Sequence, residues 1–162
     1  MKNSRKAFTM IELIFVIVII GILASVAIPR LSATRDDAKA AISLSELSLL
    51  VREMGNYYTA HENYDTGLNA ITNLTNIKLH VDTACANIAT EVSSGNSYYY
   101  CTDKGGLLES CVSIVPNNSE GRLTLSPINA PSGNICKAVQ VAPQFIKNIS
   151  RTFKMGGERI SY

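Results

Sequence analysis

The sequence lacks the short motifs that mark the common classes of enzyme and metal site. It contains no glycine-rich phosphate loop, no Gly-x-Ser-x-Gly or His-Glu-x-x-His pattern and no EF-hand loop. Its two histidines, His61 and His80, have no ligand pattern around them, and the spacing of its four cysteines fits no zinc site. We therefore expect a protein that is not an enzyme and that carries neither a cofactor nor a metal ion.

The sequence also has no large excess of basic over acidic residues, or of acidic over basic ones. The chain has 15 Lys+Arg and 13 Asp+Glu, which gives a net charge of +2. The basic residues Lys2, Arg5 and Lys6 precede an apolar run that contains Glu12. Once these four are set aside, 12 basic and 12 acidic residues remain. A soluble part that is formally neutral offers no broad basic face, so we expect no direct binding of nucleic acid.

The apolar run over residues 8–28 matches the roughly 20 residues that a helix needs to cross a bilayer. No small-x-small cleavage site follows a short apolar region, which argues against an ordinary secretory signal peptide. The basic residues before the run predict a cytoplasmic N-terminus. A plain membrane anchor does not explain Glu12, since a carboxylate in an apolar helix is costly and usually has a partner or a function. The alternative is a side chain that snorkels to the membrane edge.

The N-terminal segment resembles that of type IV pilins and of the pseudopilins of type II secretion and DNA-uptake systems. The resemblance rests on the basic leader, on Phe8-Thr9-Met10-Ile11-Glu12-Leu13, on the aliphatic run and on Ala27-Ile28-Pro29. It implies that a prepilin peptidase cuts the Ala7–Phe8 bond and that the new amine of Phe8 is methylated. It also implies that Glu12 pairs with the amine of a neighbouring subunit during assembly. Family members usually have Gly before the cut, where this chain has Ala7.

We divide the chain into four segments on this basis. Residues 1–7 are a leader that is removed, residues 8–28 a transmembrane and polymerisation helix, residues 29–58 an amphipathic helix, and residues 59–162 a globular head. Apolar residues at steps of three and four, from Leu44 to Tyr58, predict the amphipathic helix. Gly21 and Pro29 are predicted helix breaks, because glycine is a poor helix former and proline has no N–H.

The head is predicted to contain an antiparallel sheet of three or four strands. Strands are expected at 97–102, 107–115 and 122–128, with turns between them at Gly105-Gly106 and at Pro116 to Gly121. A helical segment beginning at Ile135 is interrupted by Pro143, and a turn is expected near residues 154–158. The predicted fold is α+β, with the long helix packed against a small sheet.

The four cysteines, Cys85, Cys101, Cys111 and Cys136, all lie in the head. An exported domain favours two disulfides. Four cysteines allow three pairings and the sequence does not choose among them; we favour Cys85–Cys101 with Cys111–Cys136, which would join the loop region and the C-terminal segment to the sheet.

The resemblance predicts a structural subunit of a type IV pilus-like filament or pseudopilus that serves protein secretion, DNA uptake, or adhesion and motility. Its expected partners are other pilin or pseudopilin subunits, the prepilin peptidase and methyltransferase, membrane lipid and, indirectly, an inner-membrane platform protein and an assembly ATPase. The expected location is the bacterial inner membrane, with a single span and a periplasmic head, followed by a periplasmic pseudopilus or a surface pilus. The alternative is a membrane-anchored periplasmic binding module that never polymerises.

Overall fold

A computed structural model describes residues 8–71 and 77–155. Its main helix, α1, runs from Met10 to His61. The chain divides into two units, one that extends to Asp36 and one that begins at Asp37. The second unit holds the rest of α1 and all the strands found among these residues, so the α+β architecture predicted from the sequence is confirmed.

Helix α1 continues through both residues at which a break was predicted. Gly21 and Pro29 lie inside it. The reason is that Pro29 withdraws a single N–H from a long ladder, while the Leu and Ala residues on either side of it are good helix formers. In this single chain the predicted break is therefore wrong. A loss of helix between Gly21 and Pro29 on packing into a filament stays a prediction.

The strands of the second unit form two antiparallel sheets. The short pair consists of β1 (Thr66–Gly67) and β3 (Glu91–Val92), and helix α2 (Leu68–Ile71) follows β1. The larger sheet contains β2 (Leu79–His80), β4 (Tyr98–Lys104), β5 (Leu107–Asn117), β6 (Arg122–Pro127) and β7 (Thr152–Lys154), in the order β2-β4-β5-β6-β7. The strands β4, β5 and β6 confirm the three strands predicted from the sequence. The other strands have only two or three residues, too few to show a recognisable alternation.

The polypeptide after β6 forms two short helical pieces. Helix α3 runs from Asn134 to Val141, and a π-helical turn from Phe145 to Ile149 follows it. The interruption predicted at Pro143 falls between them. The turn predicted near residues 154–158 lies largely outside the described residues.

One face of α1 forms the hydrophobic core of the second unit together with the inner face of the sheet. The buried residues of α1 recur at helical spacing: Ala40, Ser43, Leu44, Leu47, Leu50, Met54 and Tyr58. The residues of β4 to β6 that pack in the same core alternate along their strands: Tyr98, Tyr100, Val112, Ile114, Leu123 and Leu125.

Two polar contacts also join α1 to β4. The Tyr100 hydroxyl donates a hydrogen bond to Glu46 Oε2 at 2.5 Å. Lys39 Nζ lies 2.6 Å from Asp103 Oδ2 in an ion pair. These contacts link the sheet to the part of α1 that belongs to the second unit.

Candidate functional site

The N-terminal part of α1 presents a continuous apolar surface. Among the described residues, α1 is the one helix that is long and apolar enough to cross a membrane. At 1.5 Å per residue, residues 8–28 would extend about 32 Å, close to the roughly 30 Å of bilayer hydrocarbon. Its large aliphatic side chains are all substantially exposed, from 41% for Ile19 to 76% for Ile11. An apolar helix with no covering element needs lipid or other protein around it.

Glu12 lies in the first turn of α1 and takes part in a capping box with Thr9. The backbone N–H and the hydroxyl of Thr9 both donate to Glu12 Oε2, at 2.8 and 2.7 Å. In return, the Glu12 N–H lies 3.4 Å from Thr9 Oγ1. This reciprocal arrangement satisfies N–H groups that the start of a helix otherwise leaves without partners. The sequence analysis did not identify Thr9, although its signal, Thr-x-x-Glu before an apolar run, is present.

The capping box leaves half of the Glu12 carboxylate available. Both hydrogen bonds that Thr9 donates are accepted by Oε2, and within the described residues Oε1 accepts no hydrogen bond. An oxygen held at a fixed position with unused lone pairs can accept a further N–H donor. The local geometry therefore permits a second contact without loss of the cap.

The other predicted residues of this segment are placed as follows. Phe8 precedes the helix and is 86% exposed. Ala7, the other side of the predicted cleavage site, lies outside the described residues. A side chain added at Gly21 would meet no atom within 4 Å in the described structure. Pro29 has no N–H, so the carbonyl of Ser25 lacks its usual donor four residues along the helix.

The cysteines form the disulfides Cys85–Cys101 and Cys111–Cys136, the pairing that we favoured from the sequence. The Cα–Cα distances are 6.2 and 5.5 Å. The first bond joins the loop before β3 to β4, and the second joins β5 to α3. Closing loops of this length stabilises a small exported domain by about 3 kcal/mol each.

No cluster of His, Cys, Asp and Glu that could hold a metal ion is found among the described residues. The two histidines have unrelated surroundings. His80 is buried, at 4% exposure, and His61 stacks on Tyr57 with 4.1 Å between ring centroids.

The N-terminal segment matches a known family, and a longer part of the chain is similar to a pilus protein. A family model described as a prokaryotic N-terminal methylation motif matches residues 2–28. The chain is 33% identical over 105 residues to the major component PilA4 of the type IV wide pilus of Thermus thermophilus, which covers 65% of this chain and 76% of that relative.

Two further relatives are the core protein G of the type II secretion system from two bacteria. The Aeromonas hydrophila protein is 33% identical over 75 residues, which covers 44% of this chain and 52% of the relative. The Klebsiella michiganensis protein is 34% identical over 73 residues, 43% of this chain and 51% of the relative. The chain thus spans about half the length of these secretion proteins. No solved structure matches the chain. From its N-terminal motif, its α+β architecture and its relationship to the wide-pilus component, the chain belongs to the family of type IV pilins and type II secretion pseudopilins.

Proposed function

We propose that this chain is a structural subunit that polymerises through its N-terminal helix into a pilus or pseudopilus. The observation that carries the proposal is the exposed apolar helix that begins with a fixed carboxylate at Glu12. The same surface serves the subunit twice. It holds the precursor in the membrane, and it then packs against other copies in the filament.

Processing creates the partner of Glu12. Cleavage of the Ala7–Phe8 bond releases residues 1–7 and leaves an α-amine on Phe8, which is charged at neutral pH and is then methylated. An ammonium group and a carboxylate are both costly in a bundle of apolar helices unless they are paired. The amine of a neighbouring copy can donate to Glu12 Oε1 while Oε2 stays bonded to Thr9. Such a pair would fix the axial register of the helices, as a buried polar residue does in a coiled coil.

The location and the partners of the chain follow from these steps of membrane insertion, cleavage and assembly. The precursor has a cytoplasmic N-terminus, a single span over residues 8–28 and a periplasmic head that begins beyond residue 58. Its partners are the prepilin peptidase and methyltransferase, membrane lipid and other subunits. An inner-membrane platform protein and an assembly ATPase act indirectly. The role has no catalytic step for this chain.

Intact-mass measurement of the mature protein tests the processing step. We expect the loss of residues 1–7 and the gain of one methyl group on Phe8. A protein that keeps its first seven residues while it performs its cellular role would contradict the proposal. That result would favour a membrane-anchored binding module that does not polymerise.

A pair of substitutions separates charge pairing from helix capping. Glu12→Gln removes the charge but keeps a side chain that can complete a capping box. Thr9→Val keeps the charge and removes one of its two donors, the hydroxyl, while the backbone N–H remains. If the amine pair drives assembly, Glu12→Gln leaves membrane insertion intact and abolishes most filament formation, while Thr9→Val reduces it less. Normal filament yield from Glu12→Gln would leave capping as the only role of this residue.

A further inference from the structure

The β4–β5 turn (residues 104–108) lies at the end of the second unit where the chain enters it. Tyr100 of β4 donates a hydrogen bond to Glu46 of α1. Three residues further along β4, Asp103 pairs with Lys39, which lies seven residues nearer the start of α1. Three strand residues and seven helical residues both measure about 10 Å, so β4 runs antiparallel to α1. The turn that follows β4 is therefore at the end of the unit that begins with Asp37.

The β5–β6 turn (residues 117–121) lies at the opposite end of the unit and is polar. The hydroxyl of Tyr58, near the end of α1, donates to the carbonyl of Asn118 in this turn at 3.0 Å. Asn118, Ser119 and Glu120 all carry polar side chains. This is the composition expected of a hairpin turn that is surrounded by water.

The β4–β5 turn is apolar and projects from the unit. Gly105 and Gly106 both have positive φ, as a two-residue hairpin turn requires. The two residues that follow, Leu107 and Leu108, are 74% and 50% exposed. Because consecutive side chains of a strand point to opposite faces, exposure of both leucines means that neither face of the hairpin is covered at its tip. One turn of the sheet therefore presents two large aliphatic side chains where the other presents only polar ones.

The acidic side chains near the β4–β5 turn are engaged within the head. Asp103 pairs with Lys39, and its other oxygen accepts a backbone N–H of the turn at 2.8 Å. Glu109 accepts the N–H of Gly133 at 2.7 Å. Because both carboxylates already have donors, an apolar surface can approach the turn without leaving either of them unpaired.

One cation of the turn is available to an external anion. Lys104 is exposed and forms no ion pair with the residues that the structure describes. A lysine can lay its aliphatic stem on apolar groups while its ammonium group reaches water or a phosphate. Two exposed leucines beside such a lysine match the surface of a bilayer, which has hydrocarbon below its anionic headgroups.

The bilayer is within reach of this end of the unit. In the proposed function residues 8–28 span the membrane, and residues 29–36 connect the span to Asp37. Eight residues reach at most about 28 Å even when they are fully extended. The polar turn is farther along the chain's helix, since α1 continues for about 32 Å from Asp37 to Tyr58. The apolar turn is thus at the end of the unit that is tethered to the membrane.

We propose that the β4–β5 turn is a second membrane contact, which enters the headgroup region of the bilayer while the subunit is unassembled. Its ligand is the phospholipid surface. Leu107 and Leu108 reach the edge of the hydrocarbon, and Lys104 binds headgroup phosphate. This inference rests on the proposed function, because the contact requires the span over residues 8–28 to hold the chain in a membrane.

The first test uses the absence of tryptophan from the sequence. Leu107→Trp places a single tryptophan in the β4–β5 turn, and Ser119→Trp places one in the polar turn as the matched control. Each full chain is reconstituted, at a low ratio of protein to lipid, into vesicles of phosphatidylethanolamine and phosphatidylglycerol with or without brominated acyl chains. We expect brominated lipid to quench most of the fluorescence of Leu107→Trp and to leave Ser119→Trp unquenched. Tryptophan itself favours membrane interfaces, but it does so equally in both variants.

The outcomes of this test separate the inference from the proposed function. Both substitutions are at exposed turn positions, so both variants should unfold at the wild-type urea midpoint. If Leu107→Trp is not quenched in chains that float with the vesicles, the inference is wrong and the proposed function stands. A blue-shifted emission that brominated lipid does not quench would also refute the inference, since the turn would then be covered by protein such as a second copy. If the chains do not float with the vesicles, both fail.

The second test concerns the charge of the turn. Lys104→Gln in the Leu107→Trp chain removes the cation and keeps a long polar side chain. It should lower the ratio of inserted to free turns about fivefold in vesicles that contain phosphatidylglycerol, and leave it unchanged in vesicles of phosphatidylcholine. Lys154→Gln, an exposed lysine of β7, is the matched control and should change the ratio in neither. An equal ratio for Lys104→Gln and its parent in both kinds of vesicle would overturn the role of Lys104.

Discussion

The hydrogen bond between Tyr100 and Glu46 tests what fixes strand β4 to helix α1. The donor–acceptor distance is 2.5 Å, and Tyr100 is 5% exposed in the core. Tyr100→Phe keeps the ring and its packing, so it creates almost no cavity, but it removes the hydroxyl that donates to Glu46. A hydrogen bond to a charged group contributes about 1.5–3 kcal/mol. We expect the free energy of unfolding to fall by about 2 kcal/mol.

The measurement is urea unfolding of the full chain in detergent, followed by a probe of the head. With an m value of about 2 kcal/mol/M, a loss of this size moves the midpoint by about 1 M. Glu46→Gln keeps an acceptor but no charge, and because charged hydrogen bonds are about twice as strong as neutral ones, it should cost about half as much.

The matched control is Tyr99→Phe on the neighbouring, half-buried residue. The Tyr99 hydroxyl has no hydrogen bond to the residues that the structure describes, so this change should stay within about 0.5 kcal/mol of wild type. If Tyr100→Phe unfolds at the wild-type midpoint, or if Tyr99→Phe is equally destabilising, the hydrogen bond does not fasten the helix to the sheet.

Three further predictions concern the stability of the head. Replacing Cys111 and Cys136 together by Ala opens a loop with a sequence separation of 25 residues and should lower the free energy of unfolding by about 3 kcal/mol; an unchanged urea midpoint would contradict this. Burial raises the pKa of both Tyr64 and Tyr100, so the folded state, in which they stay neutral, is fully stable below about pH 10 and loses stability as the pH rises further. The urea midpoint should therefore be lower at pH 11 than at pH 8. A variant with Phe at both positions should show a smaller decrease. Backbone N–H groups of the following loop lower the pKa of Asp82, so the ionised carboxylate stabilises the fold above about pH 4 and this stabilisation is lost as the pH falls. The melting temperature of Asp82→Asn should therefore differ from that of wild type at pH 7 and converge with it in acid.

The local properties of the sequence determined the N-terminal helix, the strands β4 to β6 and the family. The long apolar run and the alternation of apolar and polar residues each extend over many consecutive positions. They therefore predict a helix or a strand even when the distant contacts of the chain are unknown. Thr9 could have been found in the same way, since the capping box is a pattern of four consecutive residues.

Tertiary structure decided the features that join distant parts of the chain. The pairing of Cys85 with Cys101 and of Cys111 with Cys136 became definite only when the loops and strands were placed. The short strands at the edges of the sheets depend on neighbours, because two or three residues carry too little pattern to predict a strand. Ile42 and Thr102 line one cavity although they are sixty positions apart in the sequence, and no local pattern encodes such a meeting. The continuity of α1 through Pro29 shows the same limit, since the favourable helix on both sides outweighed one missing hydrogen bond.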